Sequence, residues 1–596
     1  MDAPENTDCL LNTLNNANGL NIKNAQYYSP ILDIIKKVQN EHKPLTIFNI
    51  NTVKLHGKRS LQEITDKISY NTVNAIVSDS QDNKNSIKTS VFLKFCPIID
   101  TISYLSGKYD LSNDCLMKIP HLPADNSTSV NDTRDRLSKT LQCNNSAYVD
   151  CFFTYLNGIL RDHYGFVHGI EFYNSFLAHK ENFVNVITDD IEYLNTFDFF
   201  KNNADVLYTL NYNSDINSDT HDSRGIKPKI LIKECNTECN TELLYEDLLC
   251  KDSVRDVIGY GNTQNELIEI TDLNVNAYSE KSGDNYIKIV KSSNSSKSSN
   301  CSSRTSFTTD SSSSECVDRE NDDAADNYNG DDGDDDCESD SSEDDLPDII
   351  ANIKNIPVQV IAMERCENTL DSLIEDGTIN VQKEISAIVC QILFNLITLQ
   401  KAFEFTHNDL HGDNIMYVKT SDKFLFYTLN DINYKIPTFG KIFKIIDYGR
   451  SIYKLKGNLL CSDCFEKNGD ANTQYNFPPF VNEEKPIITP NFSFDLCRLG
   501  CSLYDYFLRE SESEIKNIIL DWVNDDDGHN VLYKSNGEER YPEFKLYKMI
   551  TRKVHKHIPS NVLKNKHFNQ YIVSKKTVSK CKNIIMINID AIPCFS

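Results

Sequence analysis

The chain has 596 residues, enough for several domains of roughly 150 residues each or for one large domain with insertions. This length excludes peptide hormones, disulfide miniproteins and single small modules. Its 61 Lys and Arg against 87 Asp and Glu give a net charge of -26 at pH 7, which disfavours broad binding to nucleic-acid backbones or anionic lipid.

The amino end has no basic cluster followed by an apolar run, and Asp2 does not fit an N-myristoylation signal. The apolar stretch from Ala387 to Leu399 contains Gln391 and Asn395 and is shorter than the roughly 18 apolar residues of a membrane span. The 19 cysteines are scattered, which is typical of reduced thiols. We therefore expect a soluble, non-secreted protein without a membrane span or a nucleic-acid partner.

Two alternating apolar segments predict a β-hairpin. The segments Tyr70 to Val77 and Ile87 to Phe95 are rich in β-branched and aromatic residues, and the turn-like run Asp79 to Asn85 separates them. The second strand carries Lys94, a cation that alternates out of an apolar strand.

A helix and a further strand are predicted next. Apolar residues recur at helical spacing from Tyr148 to Leu160, and Asp150 lies beside this stripe. The segment Phe166 to Leu177 is strand-like.

Residues 292–348 are rich in Ser and then in Asp. Between Asp318 and Asp348 there are sixteen acidic residues and one basic residue, Arg319. Such a segment has too few apolar side chains to offset the entropy lost on ordering. We interpret it as a long disordered acidic insertion, because ordered patterns occur on both sides of it.

Downstream of the insertion, the pattern changes from strand to helix. Val358 to Met363 is an apolar strand, and the segments Leu370 to Ile374, Val381 to Ala402 and Phe494 to Phe507 follow a helical period. A β-rich half followed by a mainly helical half predicts an α+β protein of two lobes. A nucleotide site between the lobes is the natural expectation.

The residues that carry chemistry follow the long helix. In THNDLHGDNIMYV, His407, Asp409 and Asn414 fit the pattern H-x-D-L-x-x-x-N. Asp447 and Gly449 follow in FKIIDYGRS, at the end of an apolar strand. Phosphoryl transfer needs a carboxylate that orients the attacking hydroxyl and oxygen ligands that hold Mg²⁺ against the phosphates.

Taken in order, these motifs resemble a protein kinase, and more narrowly the serine/threonine kinase family of large nucleocytoplasmic DNA viruses. The resemblance spans roughly residues 45 to 570. It is carried by VFLKFCPIID, VIAMERCENTLDSLI, THNDLHGDNIMY, YKIPTFGKIFKIIDYGRSI, NFSFDLCRLGCSLYDYF and NGEERYPEFKLYKMI.

The resemblance implies a bilobal protein kinase-like fold with a β-rich N-lobe and a helical C-lobe. Residues 1–44 would be an N-terminal extension and residues 45–291 the N-lobe with its insertions. After the acidic insertion, residues 349–570 would complete the N-lobe, the hinge and the C-lobe, and residues 571–596 would form a C-terminal tail.

The resemblance also assigns roles by position. Lys94 would contact the nucleotide phosphates, and Asp409 would be the catalytic base. Asn414 and Asp447 would bind Mg²⁺. The remaining assignments are Met363 as the gatekeeper, Glu364 and Cys366 as backbone partners of adenine, and Asp150, His407, Gly449 and Asp495 as supporting residues, Asp495 by bracing the catalytic loop.

The chain departs from the family pattern around the strand lysine. No G-x-G-x-x-G precedes Lys94, and the nearest candidate for the phosphate-covering loop, LHGKRS, contains only Gly57. The helix that would offer Glu to the lysine offers Asp150, unless Glu171 serves instead.

Two further departures concern the catalytic loop. Asn408 stands where kinases that are switched by phosphorylation carry Arg, which predicts constitutive activity. His411 stands where serine/threonine kinases carry Lys, and the segment from Arg450 to Pro490 lacks A-P-E.

The leading hypothesis is an ATP- and Mg²⁺-dependent serine/threonine protein kinase that acts on protein hydroxyls. The alternatives are a small-molecule kinase similar to aminoglycoside phosphotransferases and a pseudokinase scaffold whose acidic insertion binds a basic partner. The family resemblance implies a location in the host cytoplasm, the virion or both.

Overall fold

The computed structural model describes residues 10–11, 14, 19–31, 55–79, 85–112, 116–120, 139–213, 348–467, 469–542, 544–581 and 584–596. These residues belong to one compact unit of the chain. The predicted acidic insertion lies outside the described residues except for Asp348, and so does most of the predicted N-terminal extension. The protein has a mixed α+β fold.

A curled antiparallel sheet of seven strands forms the first part of the described chain. The strands are β1 Ile22–Gln26, β2 Arg59–Lys67, β3 Thr72–Asp79, β4 Ser86–Pro97, β5 Phe172–Val186, β6 Tyr208–Asn213 and β7 Asp348–Glu364. The strand order in the sheet is β1, β5, β7, β4, β3, β2, and β6 also pairs with β7.

The sheet curls because its edge strand β2 approaches β5. An isolated bridge joins His56 to Asn174, and the backbone N–H of Gly57 donates to the carbonyl of Tyr173. Side chains on the inner face form a continuous apolar core, as the pleat of alternating strands predicts. The predicted hairpin is confirmed, since β3 pairs with β4 from Thr72 opposite Phe92 to Ser78 opposite Ser86.

A long helix, Ser146–Tyr164, packs against the other face of this sheet. The described helices of this part are α1 Thr101–Leu105, α2 Ser146–Tyr164, α3 Ile191–Leu194 and α4 Asp198–Asn202. Asn145 caps α2 by accepting from the N–H of Ala147, and Gly165 ends it at a φ of +66°. The predicted helix is therefore confirmed and extends further at both ends.

The strand predicted from Phe166 begins six residues later, at Phe172. Phe166 is buried but belongs to a turn, because the N–H of Gly169 donates to its carbonyl. An added Cβ at Gly169 would lie 2.4 Å from the carbonyl oxygen of Asn157, so this turn packs directly on α2. Apolar content alone could not separate the buried turn from a strand.

The second part of the described chain combines helices with small sheets. Its helices are α5 Leu370–Glu375, α6 Val381–Phe403, α7 Phe494–Arg509, α8 Glu514–Asp521, α9 Lys545–Lys553, α10 Pro559–Val562 and α11 Lys575–Lys580. Its strands are β8 Ile415–Lys419, β9 Phe424–Leu429, β10 Ile432–Pro437, β11 Lys441–Ile445, β12 Ile452–Leu455, β13 Asn458–Cys461, β14 Ile572–Val573 and β15 Ile585–Asn588. Short 3-10 helices span Lys139–Leu141, Thr188–Asp190, Gly412–Asn414, Asp463–Phe465, Lys566–Tyr571 and Ile589–Ala591.

The small sheets hold the loops that follow α6. Strand β8 pairs with β11, β12 pairs with β13, and β9 lies between β10 and β15. The segment predicted as a C-terminal tail supplies β15 and buries Ile587, Ile589 and Phe595 in the core.

The long helix α6 matches its predicted bounds to within one residue. Asn380 caps it by accepting from the N–H of Lys383. Within the described residues, the segment Lys383–Phe403 of this helix is long enough and apolar enough to cross a membrane. However, 89% of its most apolar part is buried inside the protein. Packing in the core therefore accounts for its composition.

His168 links the sheet to the second part of the chain. Its Nδ1 lies 2.6 Å from the carbonyl of Phe443, and its Nε2 lies 2.7 Å from the hydroxyl of Tyr427. A neutral imidazole satisfies both, with Nδ1 donating and Nε2 accepting. Burial lowers the pKa of His168 to about 4.

We predict that His168 makes the protein less stable in acid. The unfolded chain takes up this proton near pH 6.5, whereas the folded protein resists it until about pH 4, so stability falls as the pH drops between these values. Denaturant unfolding at pH 7 and pH 5 is expected to show a loss of about 2 kcal/mol that His168→Gln removes. His163→Gln, at an exposed histidine, is the control and keeps the full loss. The prediction would be contradicted if His168→Gln lost as much unfolding free energy between pH 7 and pH 5 as the wild type.

Candidate active site

A cavity of about 330 Å³ brings together residues from both parts of the described chain. Nine of the twelve predicted site residues line it: Lys94, Asp150, Met363, Glu364, Cys366, Asp409, Asn414, Asp447 and Gly449. The other three, Gly57, His407 and Asp495, do not line it.

Lys94 lies between two carboxylates. The alternation of β4 turns its side chain away from the inner core of the sheet, where Leu93 is buried, and towards α2. Its Nζ is 2.6 Å from Oδ2 of Asp150 on α2 and 3.0 Å from Oδ1 of Asp447. These contacts tie the sheet, α2 and the loop after β11 at one point.

The two carboxylates keep Lys94 charged. Burial alone would lower the pKa of Lys94, but Asp150 and then Asp447 raise it well above its usual value. For Asp447, burial acts to raise the pKa, but the charge and hydrogen bond of Lys94 outweigh it and lower the pKa. The group therefore contains an ammonium ion and a carboxylate at neutral pH.

Asp150, and not Glu171, is the acid beside Lys94. The Glu171 carboxylate pairs with Arg59 and lies 3.0 Å from Nη2 of Arg161. The second oxygen of Asp150 accepts from the backbone N–H of Tyr448 at 2.9 Å. Asp150 thus connects Lys94 to the backbone directly after Asp447.

The loop from His407 to Asn414 is held from below by Asp495, which is fully buried at the start of α7. Its carboxylate accepts from the backbone N–H of His407, at 3.0 and 2.9 Å, and from that of Asn408, at 3.0 Å. The His407 ring accepts from the N–H of Asp409 and lies 2.8 Å from the carbonyl of Ile446. His407 therefore joins this loop to the residue before Asp447.

The carboxylate of Asp409 contacts side chains from two helices that are distant in sequence. Its Oδ1 accepts from the hydroxyl of Tyr547 at 2.6 Å and lies 4.0 Å from Nε of Arg498. Burial would raise the pKa of Asp409, but the charges of Arg450, His411 and Arg498 hold it well below its usual range. The carboxylate is thus ionised in any ordinary buffer.

The roles of Tyr547, Arg498 and Arg450 were not predicted from the sequence. An arginine among the apolar residues of α7 was a usable signal for Arg498, because a buried arginine needs a partner. Tyr547 gave no such signal, since a tyrosine on an amphipathic helix is usually part of the core.

The amide of Asn414 has a defined orientation. Its Nδ2 donates to the carbonyl of Asp409 at 2.9 Å and lies 3.0 Å from Nε2 of His411. The bond to Asp409 fixes the position of the amide nitrogen, so Oδ1 is the atom with which Asn414 could bind a cation. The backbone of Asn414 lies next to that of Ile446, the residue before Asp447, because the N–H of Ile446 donates to the carbonyl of Asn414.

Asp371, His411 and Asp413 also have ligand atoms within 4.8 Å of one another. Asp413 accepts from the hydroxyl of Thr369, and Nε2 of His411 lies 3.0 Å from Nδ2 of Asn414. Asp413 and His411 thus have side-chain neighbours within the protein. The oxygens of Asn414 and Asp447 are the better candidates for a cation near Lys94.

The end of β7 provides Met363 and Glu364. Met363 is buried, and the N–H of Glu364 donates to the carbonyl of Glu171 at 2.9 Å. The Glu364 carboxylate accepts from Lys444 at 2.6 Å, so this strand end is fixed. If adenine binds here, as the resemblance implies, Glu364 would contact it through its backbone carbonyl group. An N–H contact to adenine would then come from Cys366.

Gly57, the predicted residue of the loop over the nucleotide phosphates, does not line the cavity. Gly57 lies where β2 meets β5, and an added Cβ would be 2.0 Å from the carbonyl oxygen of Phe172. The turn that lines the cavity instead joins β2 to β3 and includes Tyr70 and Asn71. Glycine is needed at position 57 for close backbone approach.

Comparison with known proteins finds only partial similarity. No family model matches the chain. It is 32% identical over 172 residues to the uncharacterized protein 098R of invertebrate iridescent virus 6, covering 28% of this chain and 27% of that protein. It is 39% identical over 77 residues to the serine/threonine-protein kinase haspin of Bos taurus and 38% identical over 77 residues to that of Mus musculus, covering 13% of this chain and 10% of each kinase.

The chain thus spans about a quarter of the viral relative and a tenth of the two haspins. Over that part of its length, the similarity indicates a kinase-like relationship.

We predict that Gly57→Ala destabilises the protein by about 2 kcal/mol or more, because the methyl group would overlap the Phe172 carbonyl. Denaturant unfolding measures the change. Gly449→Ala is the matched control for stability, since an added Cβ there meets only Oδ1 of Asp447, at an ordinary 3.6 Å. Equal stability of the two variants would contradict the role given to Gly57.

Proposed function

We propose that the chain is an ATP- and Mg²⁺-dependent serine/threonine protein kinase with a bilobal kinase-like fold. The observation that carries the proposal is the convergence on one cavity of Lys94, paired with Asp150 and Asp447, and of the loop that holds Asp409 and Asn414. The local similarity to haspin supports it.

In this proposal, Lys94 contacts the α and β phosphates of ATP. The curled sheet and the end of β7 enclose the base, with Met363 beside it. Asn414 Oδ1 and the Asp447 carboxylate fit Mg²⁺, because this ion prefers hard oxygen ligands and binds through a few protein groups and phosphate oxygens. When bound, the ion would offset the charge of the phosphates.

Asp409 would orient the acceptor hydroxyl and take up its proton as the acceptor oxygen bonds to the γ-phosphorus and the bond from that phosphorus to the leaving ADP breaks. Its Oδ1 is engaged by Tyr547, so Oδ2 is the oxygen for the acceptor. Because the pKa of Asp409 is low, its main contribution would be orientation, as expected for a loose transition state.

The similarity to an iridescent virus protein supports a viral origin, with the host cytoplasm or the virion as the proposed location. A small-molecule acceptor is the second candidate, and His411 in place of lysine favours it. A pseudokinase scaffold is the third, with a basic partner for the acidic insertion.

The first experiment is transfer of labelled γ-phosphate from ATP and Mg²⁺ to protein acceptors such as casein and to a metabolite mixture. We expect label on Ser or Thr of protein, and Asp409→Asn should lower the rate about 10²- to 10⁴-fold. Asp431→Asn, at an exposed aspartate with a φ of +60° that Asn tolerates, is the control.

Label on metabolites alone would favour the small-molecule reading. ATP binding without any transfer by the wild type would favour the scaffold.

We further predict activity without phosphorylation of the chain. Asn408 is fully buried; its Nδ2 donates to the carbonyl of Arg450 at 3.0 Å, and its Oδ1 accepts from the hydroxyl of Tyr475. Hydrogen bonds between uncharged groups therefore hold the segment after Asp447. In kinases that are switched by phosphorylation, a phosphate paired with an arginine would hold this segment instead.

Phosphatase treatment should therefore change the transfer rate by less than about twofold, whereas a switch by phosphorylation would change it much more. Mass spectrometry before and after treatment checks that phosphate has been removed. A large loss of rate after dephosphorylation would contradict the prediction.

A further inference from the structure

Tyr547 and Arg498 form a hydrogen-bonded chain that ends on Asp409. Nε of Arg498, on α7, donates to the hydroxyl of Tyr547, on α9, at 2.9 Å. The same hydroxyl donates to Oδ1 of Asp409 at 2.6 Å. Two helices far apart in sequence thus meet below the loop that carries Asp409.

The donor and the acceptor in each of these two hydrogen bonds follow from the chemistry of the side chains. Arginine has only donors, so the tyrosine oxygen must accept from Arg498 and its single hydrogen must point to Asp409. Burial raises the pKa of Tyr547 far above its usual range, so the hydroxyl keeps this hydrogen. Tyr547 is therefore always the donor, and Oδ1 of Asp409 always the acceptor, in this hydrogen bond.

Structural needs alone explain Arg498 poorly. Its side chain is 2% exposed, and its Nη1 has no hydrogen-bond partner within the described residues. An apolar residue would fill this position in the core without burying a charge. What Arg498 does supply is a cation near Asp409 and a hydrogen bond that orients Tyr547.

We propose that Tyr547 and Arg498 are positioning residues for the acceptor step, holding Asp409 through Oδ1 so that Oδ2 faces the acceptor hydroxyl. This inference rests on the proposed kinase function. One carboxylate oxygen is used for orientation and the other receives the proton, so rotation of the Asp409 side chain is prevented during transfer.

The test is a double-mutant cycle with Tyr547→Phe and Asp409→Asn in the full chain. If Tyr547 acts through Asp409, Tyr547→Phe should lower kcat about 10- to 100-fold in the wild type, leave the KM for ATP within about twofold, and cause no further loss in Asp409→Asn. Arg498→Lys, which keeps the charge without the same geometry, should lower kcat in the same manner.

Tyr208→Phe is the matched control, because it also removes a buried tyrosine hydroxyl, one that donates to the carbonyl of Phe200 away from the cavity. It should leave kcat unchanged. Melting temperature and ATP binding check that each variant is folded.

Several results would overturn the inference. Losses that add in the double variant, or a KM for ATP that rises with the fall in kcat, would show a general structural role for Tyr547. Higher activity of Tyr547→Phe would show that the tyrosine competes with the acceptor. If the wild type is active and Tyr547→Phe equals it, only this inference fails; if the wild type transfers no phosphate, the proposed function fails too.

Discussion

The candidate site depends on one ion-pair group, in which the ammonium of Lys94 lies between the carboxylates of Asp150 and Asp447. Asp150 is buried, and removing one partner from such a group leaves an uncompensated charge, at a cost of roughly 3–5 kcal/mol for a fully buried pair. The three side chains come from β4, α2 and the loop after β11. Their mutual attraction therefore fixes the sheet against the loops that carry the remaining site residues.

The charges of the cavity divide into two sets. Lys94 pairs with two carboxylates, whereas the carboxylate of Asp409 lies near the guanidinium groups of Arg450 and Arg498. Neighbouring acids with different counterions are suited to different roles. One set is suited to metal and phosphate, and the other to the orientation of an acceptor.

Local patterns in the sequence predicted the elements better than the long-range contacts. The alternation of β4 and the helical period of α2 and α6 were sufficient to place Lys94, Asp150 and the loop after α6 on the correct elements. The sequence could not choose between Asp150 and Glu171, because the partner that pairs with Glu171, Arg59 at the start of β2, is far away in sequence. The contacts of Gly57 with β5 and of Tyr547 with Asp409 were equally hidden, since each joins segments far apart in sequence.

The most direct test of the account is the binding of a non-hydrolysable ATP analogue with and without Mg²⁺, measured by calorimetry on the wild type and on Asp447→Asn. We expect tighter binding with Mg²⁺ in the wild type and no effect of Mg²⁺ in the variant, because Asp447 is the proposed anionic ligand. Binding that ignores Mg²⁺ in the wild type, or an equal Mg²⁺ effect in both proteins, would contradict the assignment of this cavity to a metal-bound nucleotide.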